Sequence, residues 1–127
     1  MVKFYSHKTK TNILLIQYID ALSVSDAEQI DTFLSSYFVS GLTLIYDVID
    51  QSYVTEYGFL TAMASLEKKH ETHIKCISVC GLKGLQKSFY SLYLRFESTR
   101  FERLRFDLVE DLEAHYLFQI PDDFFLL

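Results

Sequence analysis

Apolar and polar residues alternate weakly over Val2–Ser6, and after the polar stretch HKTKT the segment Asn12–Tyr18 is strongly apolar. Two extended runs joined by a short polar link predict a β-hairpin. Ser25 then stands as the predicted N-cap of a helix, with Glu28 at the capping-box position. Ala27, Ile30, Leu34, Tyr37 and Phe38 recur at helical spacing, and Gly41 is the stop. The next run, LTLIYDVID, is continuous, β-branched and apolar, which predicts a buried central strand. Thr55 to about Lys69 has the spacing of a second helix, with Phe59, Leu60, Met63 and Leu66 inward, and Ile74–Cys80 predicts another buried strand. Leu82, Leu85, Phe89, Leu92, Tyr93 and Phe96 form the cleanest helical stripe in the chain and are expected to face the core. Phe101–Phe106 reads as a short strand, Leu104 and Phe106 inward, Arg103 and Arg105 outward. Asp107–Leu117 reads as a last helix with Leu108, Leu112 and Tyr116 on its apolar side.

The predicted order is ββαβαβαβα. It describes an α/β fold, a mixed five-stranded sheet in which an N-terminal hairpin is followed by βαβαβα crossovers, with about four helices. Residues 1–119 are expected to form one domain. Residues 120–127, which hold the only proline, Pro121, and the run PDDFFLL, form an apolar tail.

Composition narrows the classes. Half of the 127 residues are apolar, 16% are aromatic and 23% charged, which suits one folded domain rather than a disordered chain. The net charge of −5, with 12 basic residues outnumbered by 17 acidic ones, argues against a nucleic-acid partner. Arg95, Arg100, Arg103 and Arg105 are the one local basic cluster, read as a solvated face. No apolar run approaches the roughly 20 residues that span a bilayer, and MVKFYSHKTK lacks the apolar segment of a signal peptide. A cytoplasmic protein without membrane insertion is expected. Cys76 and Cys80 lie on one predicted strand, their Cα atoms roughly 13 Å apart, too far for a disulfide; reduced core thiols are expected.

Element order and two local patterns resemble the STAS domain, the fold of anti-sigma-factor antagonists and of sulfate-transporter cytoplasmic domains. The likeness is nearest to small stand-alone STAS-like proteins of bacteria and spans about Val2 to Leu117. It rests on the initial hairpin, on LTLIYDVIDQSYVTEYGFL, and on ISVCGLKGLQKSFYSLY followed by a short strand and DLVEDLEAHYL. The resemblance implies a mixed sheet faced by helices and, most commonly, binding of another protein in a regulatory switch. In the antagonists a phosphorylatable serine stands in an Asp-Ser-x-Gly turn at the start of the second helix. Here that stretch is Thr55-Glu56-Tyr57-Gly58, with Glu56 at the serine's place and Thr55 at the aspartate's, so the resemblance does not carry the serine switch over, and a glutamate there is expected to act as a loose mimic of phosphoserine.

Ligands of open α/β sheets gather beyond the carboxyl ends of the strands. That edge is expected to collect Asp47, Asp50, Ser52, Thr55, the Gly81–Gly84 turn and Asp107. The two aspartates suit loop amides and helix caps better than a metal, and Ser52 and Thr55 suit caps better than phosphoacceptors. A two-component receiver is excluded, because an acidic pair after the first strand and a later Lys-Pro are both missing. GLKG matches neither a dinucleotide nor a triphosphate fingerprint, and a KH loop would lie between two helices. It reads as a hinge first, and second as a weak anion site of Gly81, Lys83, Gly84 and Lys87. His70 and His73 flank a helix end without a third ligand, and His7 and His115 read as surface or boundary residues. With no Ser/His/Asp or Cys/His pattern and no cofactor signature, no enzyme is indicated. Tyr90 and Leu94 widen the apolar face of the third helix, and Phe124 and Phe125 extend the tail. They are expected to meet a partner or a second copy, or, for the tail, to fold back on the domain.

The functional expectation is a non-enzymatic regulatory interaction module. A signalling or anti-sigma-type protein would meet the rim of Asp50, Ser52, Thr55, Glu56 and Gly58. The alternatives are a small anionic ligand or lipid held between sheet and third helix, with Lys83 at the mouth, and a structural homodimer.

Overall fold

A computed structural model describes residues 1–37, 39–54 and 56–127, with backbone alone at 53, 54, 57 and 96. The hairpin forms: β1 (Val2–His7) pairs antiparallel with β2 (Ile13–Tyr18), Val2 opposite Tyr18. After the two-residue β3 (Ala21–Leu22) come α1 (Val24–Ser36), β4 (Leu42–Asp47), the two-residue β5 (Tyr53–Val54) and α2 (Tyr57–Lys69). A 3₁₀ turn leads into β6 (Ile74–Cys80), then α3 (Leu85–Phe96), β7 (Glu102–Phe106), α4 (Val109–Tyr116) and β8 (Phe124–Leu126). β2, β4, β6 and β7 are parallel neighbours, each step passing through one of α1, α2 and α3. The sheet order is β7-β6-β4-β2-β1-β8, and β3 pairs with β5 in a separate parallel ribbon.

Period-two alternation splits the core between the two faces of the sheet. Leu14, Ile16, Leu44, Tyr46, Ile77 and Val79 point to the side covered by α1 and α2, where Ile30, Phe59 and Met63 meet them. Ile13, Leu15, Ile45 and Cys80 point to the other side, under Leu112 of α4, Phe118 and Phe124. Because both faces are covered, the central strands read as unbroken apolar runs. Cys76 and Cys80 are free and buried.

Several sequence expectations are corrected. The sheet has six strands, not five, because the apolar tail adds β8 to the open edge of β1, Phe124 opposite His7 and Leu126 opposite Tyr5. The α1 cap is Ser23, not Ser25. Asp26 N donates to Ser23 Oγ at 3.4 Å and Ser23 N donates to Asp26 Oδ2 at 2.9 Å. An aspartate at N3 closes the box as a glutamate would, which places Ser25 inside the first turn. Phe38, assigned to that helix by spacing, lies outside the described residues. The run LTLIYDVID pairs only as far as Asp47. Leu108 precedes α4 at its N-cap position and is exposed, so Leu112 alone of that trio is fully buried.

The largest correction concerns α3. Leu85, Phe89 and Leu92, expected in the core, are 75%, 50% and 48% exposed. Of the expected stripe, Leu82, just ahead of the helix, and Tyr93 do pack on the core, joined by Tyr90, while the side chain of Phe96 lies outside the described residues. The helix starts only after Gly84, and the Tyr93 hydroxyl donates to Glu67 of α2, a bond that a leucine could not make. Arg103 of β7 is the second reversal. It points inward, its side chain only 10% exposed, and pairs with Glu67 of α2.

His7 is buried rather than peripheral; its Nδ1 accepts from the amides of Thr9 and Lys10 at 3.1 and 3.0 Å. His70, at the C-cap of α2, is hydrogen-bonded through Nε2 to Asp31 Oδ1 at 2.8 Å and so ties α2 to α1.

Candidate functional site

Between the sheet and α3 lies a cavity of about 390 Å³, within the range of small-molecule pockets. Its walls are apolar: Val48 and Val79 from the sheet side, Phe59, Leu60 and Met63 from α2. Ser52 and Lys83 are exposed and mark its opening, and Leu85 and Phe89 of α3 edge it.

The floor is polar and closed. Glu67 is 1% exposed, one turn beyond Met63 on the stripe that α2 buries. Its Oε2 accepts from Tyr46 hydroxyl at 2.8 Å. Its Oε1 accepts from Arg103 Nη2 at 2.7 Å and from the Tyr93 hydroxyl. Arg103 Nη2 also reaches Glu97 Oε2 at 3.3 Å and Thr99 Oγ1 at 3.2 Å. The guanidinium lies over the rings of Phe101 and Tyr93, 4.8 and 5.6 Å from their centroids. Four segments are thereby fastened together: α2 through Glu67, β4 through Tyr46, β7 through Arg103, and the end of α3 through Tyr93 and Glu97.

Burial lifts the phenols of Tyr18 and Tyr46 well above their usual range, and the charge of Glu67 lifts them further. Tyr93 shifts the same way for the same two reasons. Burial works against the charge of Arg103, but Glu67 overrides it and keeps the guanidinium protonated. Tyr46 and Tyr93 therefore stand as neutral donors to the carboxylate of the ion pair. Tyr18 stacks on Tyr46 with ring centroids 5.3 Å apart and meets Phe59 edge-on at 5.9 Å, which holds both phenol rings in place.

The rim expected to bind a partner sits beside the opening. Asp50 Oδ2 accepts from Gln17 Nε2 at 3.1 Å, and the backbone of Asp20 bonds to both Asp50 and Ser52. Glu56, at the position of the antagonists' serine, turns toward α1 and accepts from Val24 N at 3.1 Å. Gly58 passes close to the same residue; a Cβ there would lie 3.0 Å from Val24 Cγ2. Thr55 lies outside the described residues. Asp47 accepts from Ile49 N at 3.1 Å, and burial raises its carboxyl above the ordinary range.

The GLKG turn is tightly made and depends on its first glycine. Gly81 has φ +94° and a Cβ there would fall 2.4 Å from Ile49 Cγ1, so only glycine fits. Gly84 caps α3 at φ +51°. Gly81 N donates to Phe106 O and Lys83 N to Gln86 Oε1, both at 3.0 Å, which removes two of the amides an anion would need. Lys83 Nζ rests 3.5 Å from Ile49 O, and Lys87 N closes the first helical turn on Gly84 O. Of the residues expected to self-associate, Phe124 is buried and Tyr90 faces the core, whereas Leu94 and Phe125 are exposed.

Sequence reasoning missed Glu67, Arg103 and Tyr46. One signal was present: Glu67 falls at i+4 from Met63 and i+8 from Phe59, a charge on the buried stripe of a helix.

These features define a STAS-like fold: an antiparallel start, three parallel crossovers with α1 and α2 on one face, and a last helix on the other. No protein-family model matches the chain, and no curated protein matches it. Among solved structures it is similar to an uncharacterized protein of the DUF3478 family from Shewanella loihica PV-4, whose fold is SpoIIAA-like, which is the STAS-like fold. The superposition has a TM-score of 0.62 and covers 91% of this chain and 94% of that one, at 16% identity. Likeness at that identity shows the fold. No helix among the described residues is long and apolar enough to cross a membrane.

Proposed function

We propose that the protein is a non-enzymatic regulatory module of the STAS type that works by binding, with the cavity between sheet and α3 as its ligand site. The observation that supports this reading is the cavity itself, apolar in its walls and furnished with a few fixed polar groups, the usual composition of a small-molecule site. Thermal unfolding of the full chain with a panel of small neutral aromatic compounds tests it. A binding compound at a hundred times its Kd should add about 2.7 kcal/mol, several degrees in Tm for a domain of this size. The variant Val79→Phe, which fills the cavity from the sheet side, should remain folded and lose the shift. No shift with any compound, or a shift that survives in Val79→Phe, would sink the reading.

A second reading is favoured by the exposed ridge of Leu85, Phe89 and Leu92, a surface that suits a protein partner. In it the rim of Asp50, Ser52, Thr55, Glu56 and Gly58 meets a signalling protein, and Ser52 joins rim to cavity opening. Affinity capture from the host's extract, wild type against a Ser52→Ala/Thr55→Ala/Glu56→Ala variant, should retain a signalling protein with the first and lose it with the second. Equal retention by both removes the rim from the account. Recovery of the chain alone, with a concentration-dependent mass, would point to a homodimer instead.

A further inference from the structure

Four tyrosines among the described residues line the cavity, and their hydroxyls stand in different conditions. Those of Tyr46 and Tyr93 donate to Glu67. That of Tyr90 is sealed in beside Arg103. The Tyr18 hydroxyl has no hydrogen-bond partner among the described residues, and unlike that of Tyr90 it retains accessible surface. Tyr18 as a whole is 6% exposed and lines the cavity, so the cavity is where that surface opens. Its ring is held by the stack on Tyr46 and by the edge of Phe59, which limits where the O–H can reach. Buried donors are normally paired, and one left open to a cavity is a place for a ligand atom.

Charge and hydrogen-bond capacity restrict what that atom can be. The carboxylates that bear on this hydroxyl are those of Glu67 and Asp26, so an anion placed there would be repelled. Neither carboxylate calls for a cation, because Glu67 is paired with Arg103 and Asp26 takes the N-terminal amine at 3.3 Å. Burial keeps the phenol protonated, and its proton needs an acceptor. A ligand group that could only donate would leave that proton unsatisfied. Around it stand aromatic side chains, Tyr46, Phe59 and Phe89 among them, against which another aromatic ring packs well.

We propose that the cavity takes an uncharged, flat aromatic molecule bearing one hydrogen-bond acceptor, a ring nitrogen or a carbonyl oxygen, directed at the Tyr18 hydroxyl. The proposal rests on reading the cavity as a ligand site.

Three probes of one shape test it by NMR titration of the full chain: quinoline, naphthalene and 2-naphthoate. Binding is read at the methyl group of Met63, which lines the cavity, with the exposed Met1 as reference. Tyr18→Phe removes the donor and keeps the ring. It should weaken quinoline about tenfold, because the ring nitrogen is then buried without a partner. Naphthalene should bind the variant within about twofold of wild type or tighter, and 2-naphthoate should bind the wild type no tighter than naphthalene does. In the wild type, the nitrogen-15 resonance of bound quinoline should stay near its hydrogen-bonded position in water. A move to the position it has in hydrocarbon solvent, or an equal effect of Tyr18→Phe on quinoline and naphthalene, overturns the acceptor assignment while the cavity remains a ligand site. Tightest binding by 2-naphthoate overturns it in favour of an anion. No response of the Met63 methyl to any of the three overturns the ligand site as well.

Discussion

Arg103→Leu is expected to cost about 3–5 kcal/mol of folding stability, read from urea unfolding. The cause is what the substitution leaves behind. Glu67, at 1% exposure, would be left in an apolar surround with only the hydroxyls of Tyr46 and Tyr93 to satisfy it. An unpaired buried charge costs far more than the pair it came from was worth, because two ions taken out of water together recover much of the loss by mutual attraction. The reverse change, Glu67→Leu, should cost less, since Arg103 retains Glu97 and Thr99. Glu67→Leu/Arg103→Leu should be more stable than Arg103→Leu alone, as a pair removed whole leaves no uncompensated ion. Recovery will be incomplete while Tyr46 and Tyr93 lack an acceptor. Additive losses in the double variant would mean that the two side chains do not form one unit.

The second large effect is expected at Phe124. Its replacement by alanine should cost about 3–5 kcal/mol, while Phe125→Ala should stay within about 0.5 kcal/mol. The two are neighbours in sequence and opposites in structure. Phe124 is 6% exposed and meets His7 and Phe118 edge-on, with ring centroids 5.2 and 5.0 Å away. Phe125 points to the other side of β8 and is 47% exposed. If both substitutions cost the same small amount, β8 is not seated on β1 in solution.

How far the fold could be read from the residues differs by element. β4 and β6 declared themselves as unbroken apolar runs because both of their faces are covered. The hairpin and the positions of α1, α2 and α4 followed from spacing. The side on which α3 docks did not, because a periodic stripe says only which residues lie together. Here Leu85, Phe89 and Leu92 of the expected stripe are outer, and Tyr93 of that stripe goes inward together with Tyr90 beside it. That choice depends on Glu67 and Arg103, and neither sequence neighbourhood contains the other's charge. Arg103 alone resembles an ordinary surface residue, and Glu67 is marked only by its place on the buried stripe of α2. The tail was legible as apolar, but its docking on β1 joins residues that periodicity never compares. At the GLKG turn, the need for glycine at Gly81 was readable from local chemistry. The polar floor of the cavity was not, since it is assembled from α2, α3, β4 and β7.

The pairing of β8 with β1 has a consequence for how the molecule assembles. β1 finds β2 through a short turn, a local and rapid event, but its other edge is filled by residues from the far end of the chain. Closing that loop carries a larger entropy cost, which grows slowly with its length, and contacts of long sequence separation slow folding. β8 is therefore the strand to seat last and to open first. Its amide hydrogens, and that of Leu127 just beyond it, which donates to Phe4 O, should exchange with solvent before those of β4 and β6.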